Sequence, residues 1–67
     1  MANKILRRIA VEEQTGLSRS SLYAKLDPNS RYFDPEFPRP LRLGIRAVGW
    51  RESEIVAWME SRESTAA

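Results

Sequence analysis

Eleven cationic side chains carry most of the chemistry this sequence offers, and nine of them are arginines. A guanidinium presents a rigid fork of donors that matches a phosphate, or the edge of guanine, better than an ammonium does. Placement says more than number. From Phe37 to Arg51 stand Arg39, Arg42, Arg46 and Arg51 with no acid, and from Gln14 to Leu26 stand Arg19 and Lys25 with no acid. The stretch from Glu52 onward reverses the sign, with Glu52, Glu54, Glu60 and Glu63 against Arg62. If the two acid-free stretches lie side by side, the molecule has a basic face and an acidic end, the footprint of a nucleic-acid binder. The plainer alternative is chance clustering on a solvated surface, and the net charge of +2 does not decide between them.

Other chemistries lack their residue types. Without Cys there is no thiolate, disulfide or sulfur-ligated zinc, and without His the usual general base and commonest metal ligand are missing. The serines therefore have no imidazole to activate them. Gly16, Gly44 and Gly49 fit no phosphate-cradling loop. The carboxylate pairs Glu12-Glu13 and Glu52-x-Glu54 fall at the starts of expected helices, where they complement the helix dipole. These absences predict no enzyme, no metal and no cofactor. No apolar run is long enough to span a membrane, and Met1-Ala2-Asn3-Lys4-Ile5 leads into no signal-peptide core, so a cytoplasmic protein is expected.

The elements that must hold the cations can be read from local signals. Sixty-seven residues allow one small domain, 1–67, which hides only about 60% of its extended surface. A first helix is expected over 10–15, with Glu12 and Glu13 in its first turn and Gly16 closing it in the left-handed conformation. Ser18 then caps a second helix over 19–26, with Leu17 and Leu22 as a hydrophobic staple. Leu22 and Leu26 form its core stripe, which leaves Ser20, Tyr23 and Ala24 pointing away and Arg19 and Lys25 on the flanks. Two short helices joined by a tight Gly turn make a helix-turn-helix over about 10–26, whose second helix has the free polar edge that a major-groove reader requires.

Asp27-Pro28 ends that helix, and the loop 27–40 holds all four prolines. Tyr32, Phe33 and Phe37 are expected to anchor it, and Asp34-Pro35 to cap a single helical turn. Residues 41–50 read as a hairpin, strands 41–43 and 46–50 about a turn at Gly44-Ile45, with Leu41, Leu43, Val48 and Trp50 inward, Arg42 outward and Arg46 near the tip. A hairpin after a helix-turn-helix is a wing. A last helix over 52–62 buttresses it through Ile55, Trp58 and Met59, and 64–67 should fray. Ile5 and Leu6 form a short strand or merely cover the core. The fold class expected is mainly α with a small β-hairpin, a winged helix-turn-helix.

Three motifs in order give this reading a family. Thr15-Gly16-Leu17-Ser18-Arg19-Ser20-Ser21-Leu22-Tyr23, then Phe37-Pro38-Arg39-Pro40-Leu41-Arg42-Leu43-Gly44 with Arg46-Ala47-Val48-Gly49-Trp50, then Ser53-Glu54-Ile55-Val56-Ala57-Trp58-Met59 resemble the AlpA family of phage and prophage transcriptional regulators. The resemblance implies a bacterial or phage protein with an excisionase-like, MerR-like winged helix-turn-helix that regulates prophage genes such as an integrase gene. The sequence departs from the family pattern in the longer link 27–36 and in Ala24, where a basic residue often follows the motif tyrosine.

The expectation is a sequence-specific regulator whose partner is double-stranded DNA, bound through Ser18, Arg19, Ser20, Tyr23 and Lys25 of the helix-turn-helix and Arg39, Arg42 and Arg46 of the wing region. One small module buries only about 600 to 1,000 Å² on DNA, so self-association or cooperative binding on repeated sites is expected as well. Two rival roles are an excisionase that bends DNA for recombination and a protein-interaction adaptor whose helix-turn-helix is only structural.

Overall fold

The computed structural model describes residues 4–63. In chain order these form β1 (Ile5–Leu6), α1 (Arg8–Thr15), α2 (Arg19–Leu26), β2 (Leu41–Arg42), β3 (Val48–Arg51) and α3 (Glu52–Glu63). The fold is mainly helical, with a small three-stranded antiparallel sheet in the order β1-β3-β2. The expected fraying at 64–67 lies outside the described residues.

Gly16 ends α1 as its position in the sequence implies: it has φ +77°, and its N–H donates to Glu12 O at 2.8 Å. The start of α1 differs from expectation. The helix begins at Arg8, two residues before Ala10, with Arg7 in extended backbone and no side chain capping it. Glu12 and Glu13 therefore fall outside the first turn, and Glu12 instead pairs with Arg8 one helical turn away. Ser18 caps α2 as expected, its Oγ accepting the Ser21 N–H at 3.1 Å.

The proline-rich loop is ordered by three successive turns of one design. Asp27, Ser30 and Asp34 each accept, through the side-chain oxygen, the N–H two residues on, while their carbonyls accept the N–H three residues on. Pro28 and Pro35 occupy the second positions of the first and third turns, where their fixed φ suits the bend. The helical turn expected at Asp34-Pro35 is thus a single tight turn. Of the three aromatics expected to anchor the loop, Phe37 is buried and Phe33 partly so, but Tyr32 is 67% exposed. The Asp34 N–H donates to Lys25 O, which ties the loop to the end of α2.

The hairpin is also wider than expected. Strand pairing is limited to Leu41 opposite Gly49 and Arg42 opposite Val48, and the connection 43–47 closes through Leu43 and Gly44 N–H groups that both donate to Ala47 O. A two-residue turn at Gly44-Ile45 would need a positive φ, and among the described residues only Gly16 has one. β3 then continues to Arg51, and β1 pairs along its other edge, Ile5 opposite Arg51 and Leu6 opposite Trp50. Gly49 permits that approach: a Cβ there would stand 2.5 Å from Ile5 Cγ2 and 3.1 Å from Leu6 O.

The core takes one buried apolar side chain from almost every element: Leu6, Val11, Leu22, Phe37, Trp50 and Ile55. Each such burial contributes roughly 1.5–3 kcal/mol. Leu17, Leu26, Val48, Trp58 and Met59 pack around it. Trp58 and Met59 are therefore only partly buried, less than their helical stripe implies. Trp50 links both halves of the fold, since its indole N–H donates to Pro38 O at 3.1 Å. No described helix is long and apolar enough to cross a membrane.

Candidate nucleic-acid interface

Helix α2 keeps one edge in the core through Leu22, and Arg19, Ser20 and Tyr23 are exposed on the rest of its circumference. Helix α1 packs against both α2 and β3, so α2 and the hairpin's return strand flank the same helix. Tyr23 of α2 and Arg46 and Val48 of the hairpin line one cleft of about 250 Å³ with Arg7, Arg8 and Ile9 at the start of α1. Three elements thus bring three arginines and an exposed tyrosine to one place, although the Arg8 guanidinium is already paired with Glu12. Arg46 enters no ion pair among the described residues, and Arg7 uses only its Nε, donating to Val48 O at 3.1 Å. Such a surface can hold phosphate oxygens with the arginines while the tyrosine and the hydroxyls of α2 reach base edges.

The other expected contact residues are distributed differently. Ser18 is engaged as the cap of α2, and Ser20 and Lys25 line a second hollow with Leu17, Ser21, Ala24 and Tyr32. The Lys25 ammonium lies 5.4 Å from the Trp58 ring centre rather than beside Arg46. Arg39 lies in a third groove, against α3, with Glu36, Glu54 and Trp58. Arg42 is exposed on the hairpin, with Nη1 donating to Ile45 O at 3.4 Å. Arg7 and Arg8 were not among the residues that the sequence pointed to, although a doubled arginine spanning an uncapped helix start was the available signal.

Opposite in character is the cluster that joins the loop to α3. Trp58 Nε1 donates to Asp34 Oδ2 at 3.0 Å, Phe37 meets the Trp58 ring edge-on at 4.9 Å, and Arg62 stacks over it while pairing with Glu36 at 2.6 Å. Burial pushes the Asp34 carboxyl up. The hydrogen bonds from Trp58 and from the Glu36 N–H outweigh that, with help from the positive charges of Arg62 and Lys25, and hold it below the usual aspartate value. No three carboxylates converge on a place for a metal ion among the described residues.

The chain as a whole is similar to known proteins. Residues 4–63 match the family model described as prophage CP4-57 regulatory protein (AlpA). The chain is 43% identical over 61 residues to the DNA-binding transcriptional activator AlpA of Escherichia coli (strain K12), covering 91% of this chain and 87% of that protein. It is 37% identical over 59 residues to the uncharacterized protein ORF88 of Enterobacteria phage P4, covering 88% of this chain and 60% of that one. No solved structure gives a significant match.

Proposed function

The chain belongs to the AlpA family of prophage regulatory proteins, and from that premise we propose that it is a sequence-specific DNA-binding regulator of transcription. The observation that carries the proposal is the cleft where Tyr23 of α2, Arg46 of the hairpin and Arg7 and Arg8 of α1 meet. In this reading α2 enters the major groove and presents Arg19, Ser20 and Tyr23 to base edges. The β2–β3 hairpin acts as a wing, with Arg42 and Arg46 on the adjacent backbone or minor groove, and Arg7 holds the phosphates between, while Arg8 stays paired with Glu12. Ser18 positions α2 through its cap, while Lys25 and Arg39 strengthen the surrounding positive field. Copies occupy repeated sites cooperatively, because each contributes a small interface.

Selection of binding sites from randomised duplex DNA, followed by titration at several salt concentrations, tests this. A preferred sequence whose affinity falls steeply with salt is expected, because phosphate neutralisation releases counterions. Failure to enrich any sequence, with binding insensitive to salt, would favour the adaptor role.

A further inference from the structure

Among the exposed large apolar side chains Ile45 stands out, 91% accessible in the connection between β2 and β3. A β-branched apolar residue is a poor choice for such a place, where Gly, Asn or Asp meet the backbone's demands and suit water. Nor is the connection loosely held. The N–H groups of Leu43 and Gly44 close it on Ala47 O at 2.7 and 3.2 Å, and the Arg42 guanidinium binds the Ile45 carbonyl itself. The hairpin thus holds its own tip in shape, with an aliphatic side chain at the end of it.

Its neighbours define what it meets. Arg42 and Arg46 are both exposed, and the nearest acids along the chain in either direction are Glu36 and Glu52. An apolar protein pocket would have to desolvate two guanidiniums to receive this tip, which is costly unless each finds a partner. The DNA minor groove has the complementary pattern: phosphates line both walls, and stacked bases form an apolar interior reachable between steps. Arg46 shares a cleft with Tyr23, so the hairpin stands on the side of the molecule from which α2 is free to contact DNA.

We infer that Ile45 is a wedge that enters the minor groove beside the site read by α2 and partly unstacks one base step there, with Arg42 and Arg46 on the flanking phosphates. The inference rests on the DNA-binding reading above and adds a source of specificity to it. Pyrimidine–purine steps are the easiest to unstack and A-tracts resist it, so the chain discriminates at a step where it makes no hydrogen bond to a base.

The test uses the selected duplex with a fluorescent purine analogue placed singly at successive positions beside the α2 footprint, together with circular-permutation gel shifts. Binding of the unaltered chain should raise fluorescence at one step and bend the duplex by about 20 to 90°. Ile45→Ser should abolish both changes while keeping the salt dependence of binding, and Ile45→Leu should restore them. An unchanged melting temperature is expected for both variants, since Ile45 is outside the core. Duplex binding without a fluorescence rise at any step, or a rise that survives Ile45→Ser, overturns the wedge and leaves the DNA-binding reading in place. Absence of binding to any duplex overturns both. A shift in the sedimentation of the DNA-free chain on Ile45→Ser would assign the tip to a contact between copies of the protein, and that also overturns the wedge.

Discussion

Two regions of this molecule combine cations and aromatic side chains with opposite consequences. Where the loop packs on α3, Arg62 stacks on Trp58 and pairs with Glu36 and Asp34, and Lys25 reaches the same ring. In the cleft shared by α2 and the hairpin, Tyr23 stays exposed and Arg46 enters no ion pair among the described residues. The residue types are alike. What separates them is the presence of carboxylates: Asp34 and Glu36 stand on the loop, whereas 37–51 holds no acid. A cation beside a carboxylate serves the fold, and one without it keeps its donors for a partner such as phosphate.

Trp50 belongs to both regions, and changing it should have the largest effect. Its ring is fully buried in β3 and its N–H reaches Pro38 in the loop. Trp50→Ala should lose roughly 3–5 kcal/mol, much of the total stability of so small a chain, with loss of cooperative melting by circular dichroism. Trp58→Ala should cost less, because Trp58 is only partly buried; equal losses would mean that the loop–α3 cluster supports the fold as strongly as the core. Gly49→Ala comes next, at about 1–3 kcal/mol from overpacking. Its methyl would collide with Ile5 and press on the Leu6 carbonyl, which as backbone cannot rotate away. A wild-type melting temperature in that variant would show that β1 yields easily.

Both regions were partly legible in the sequence. The limits of α2, its Ser18 cap and the Gly16 stop rest on signals within a few residues, and the structure has them where the sequence puts them. Alternation at 41–50 likewise announced a hairpin. What escaped depends on partners distant along the chain: the pairing of β1 with β3, the crowding that makes Gly49 necessary, and the meeting of Arg7 and Arg8 with Arg46. Lys25 shows why. Helical geometry places it on a flank of α2, but only the docking of α3 supplies the Trp58 ring that draws its ammonium there.

The exposed region can be sharpened by separating reading from holding. Ser20 and Tyr23 face away from the core, so exchanging them should change which bases are preferred, at about 1–3 kcal/mol on the correct site and little elsewhere. Arg46→Ala should weaken specific and non-specific duplexes alike and lower the salt slope by about one contact. Competition titrations over a panel of substituted sites measure both. Unchanged base ranking in the Ser20 and Tyr23 variants, with an altered ranking in Arg46→Ala, would make the hairpin the principal reader.

The smallest effect is expected from Asp34→Asn, and it tests the enclosed region alone. Asparagine keeps one oxygen, enough for the Glu36 N–H now on Oδ1 but not also for the Trp58 N–H on Oδ2, and it removes the charge that faces Arg62 and Lys25. Because the folded-state pKa of Asp34 lies below its ordinary value, the unfolded chain binds the proton more readily than the folded one. The stabilisation is therefore complete above the ordinary aspartate range near about 3.9 and is lost as pH falls through the lower folded value. Wild type and variant should differ modestly in melting temperature at neutral pH and converge in acid, while DNA affinity at neutral pH stays the same. A gap that persists at low pH would assign the effect to hydrogen-bond geometry instead of charge. A change in DNA affinity without a change in melting would mean that the two regions are not independent, since the loop would then set the position of α2 through the Asp34 N–H and the Lys25 carbonyl.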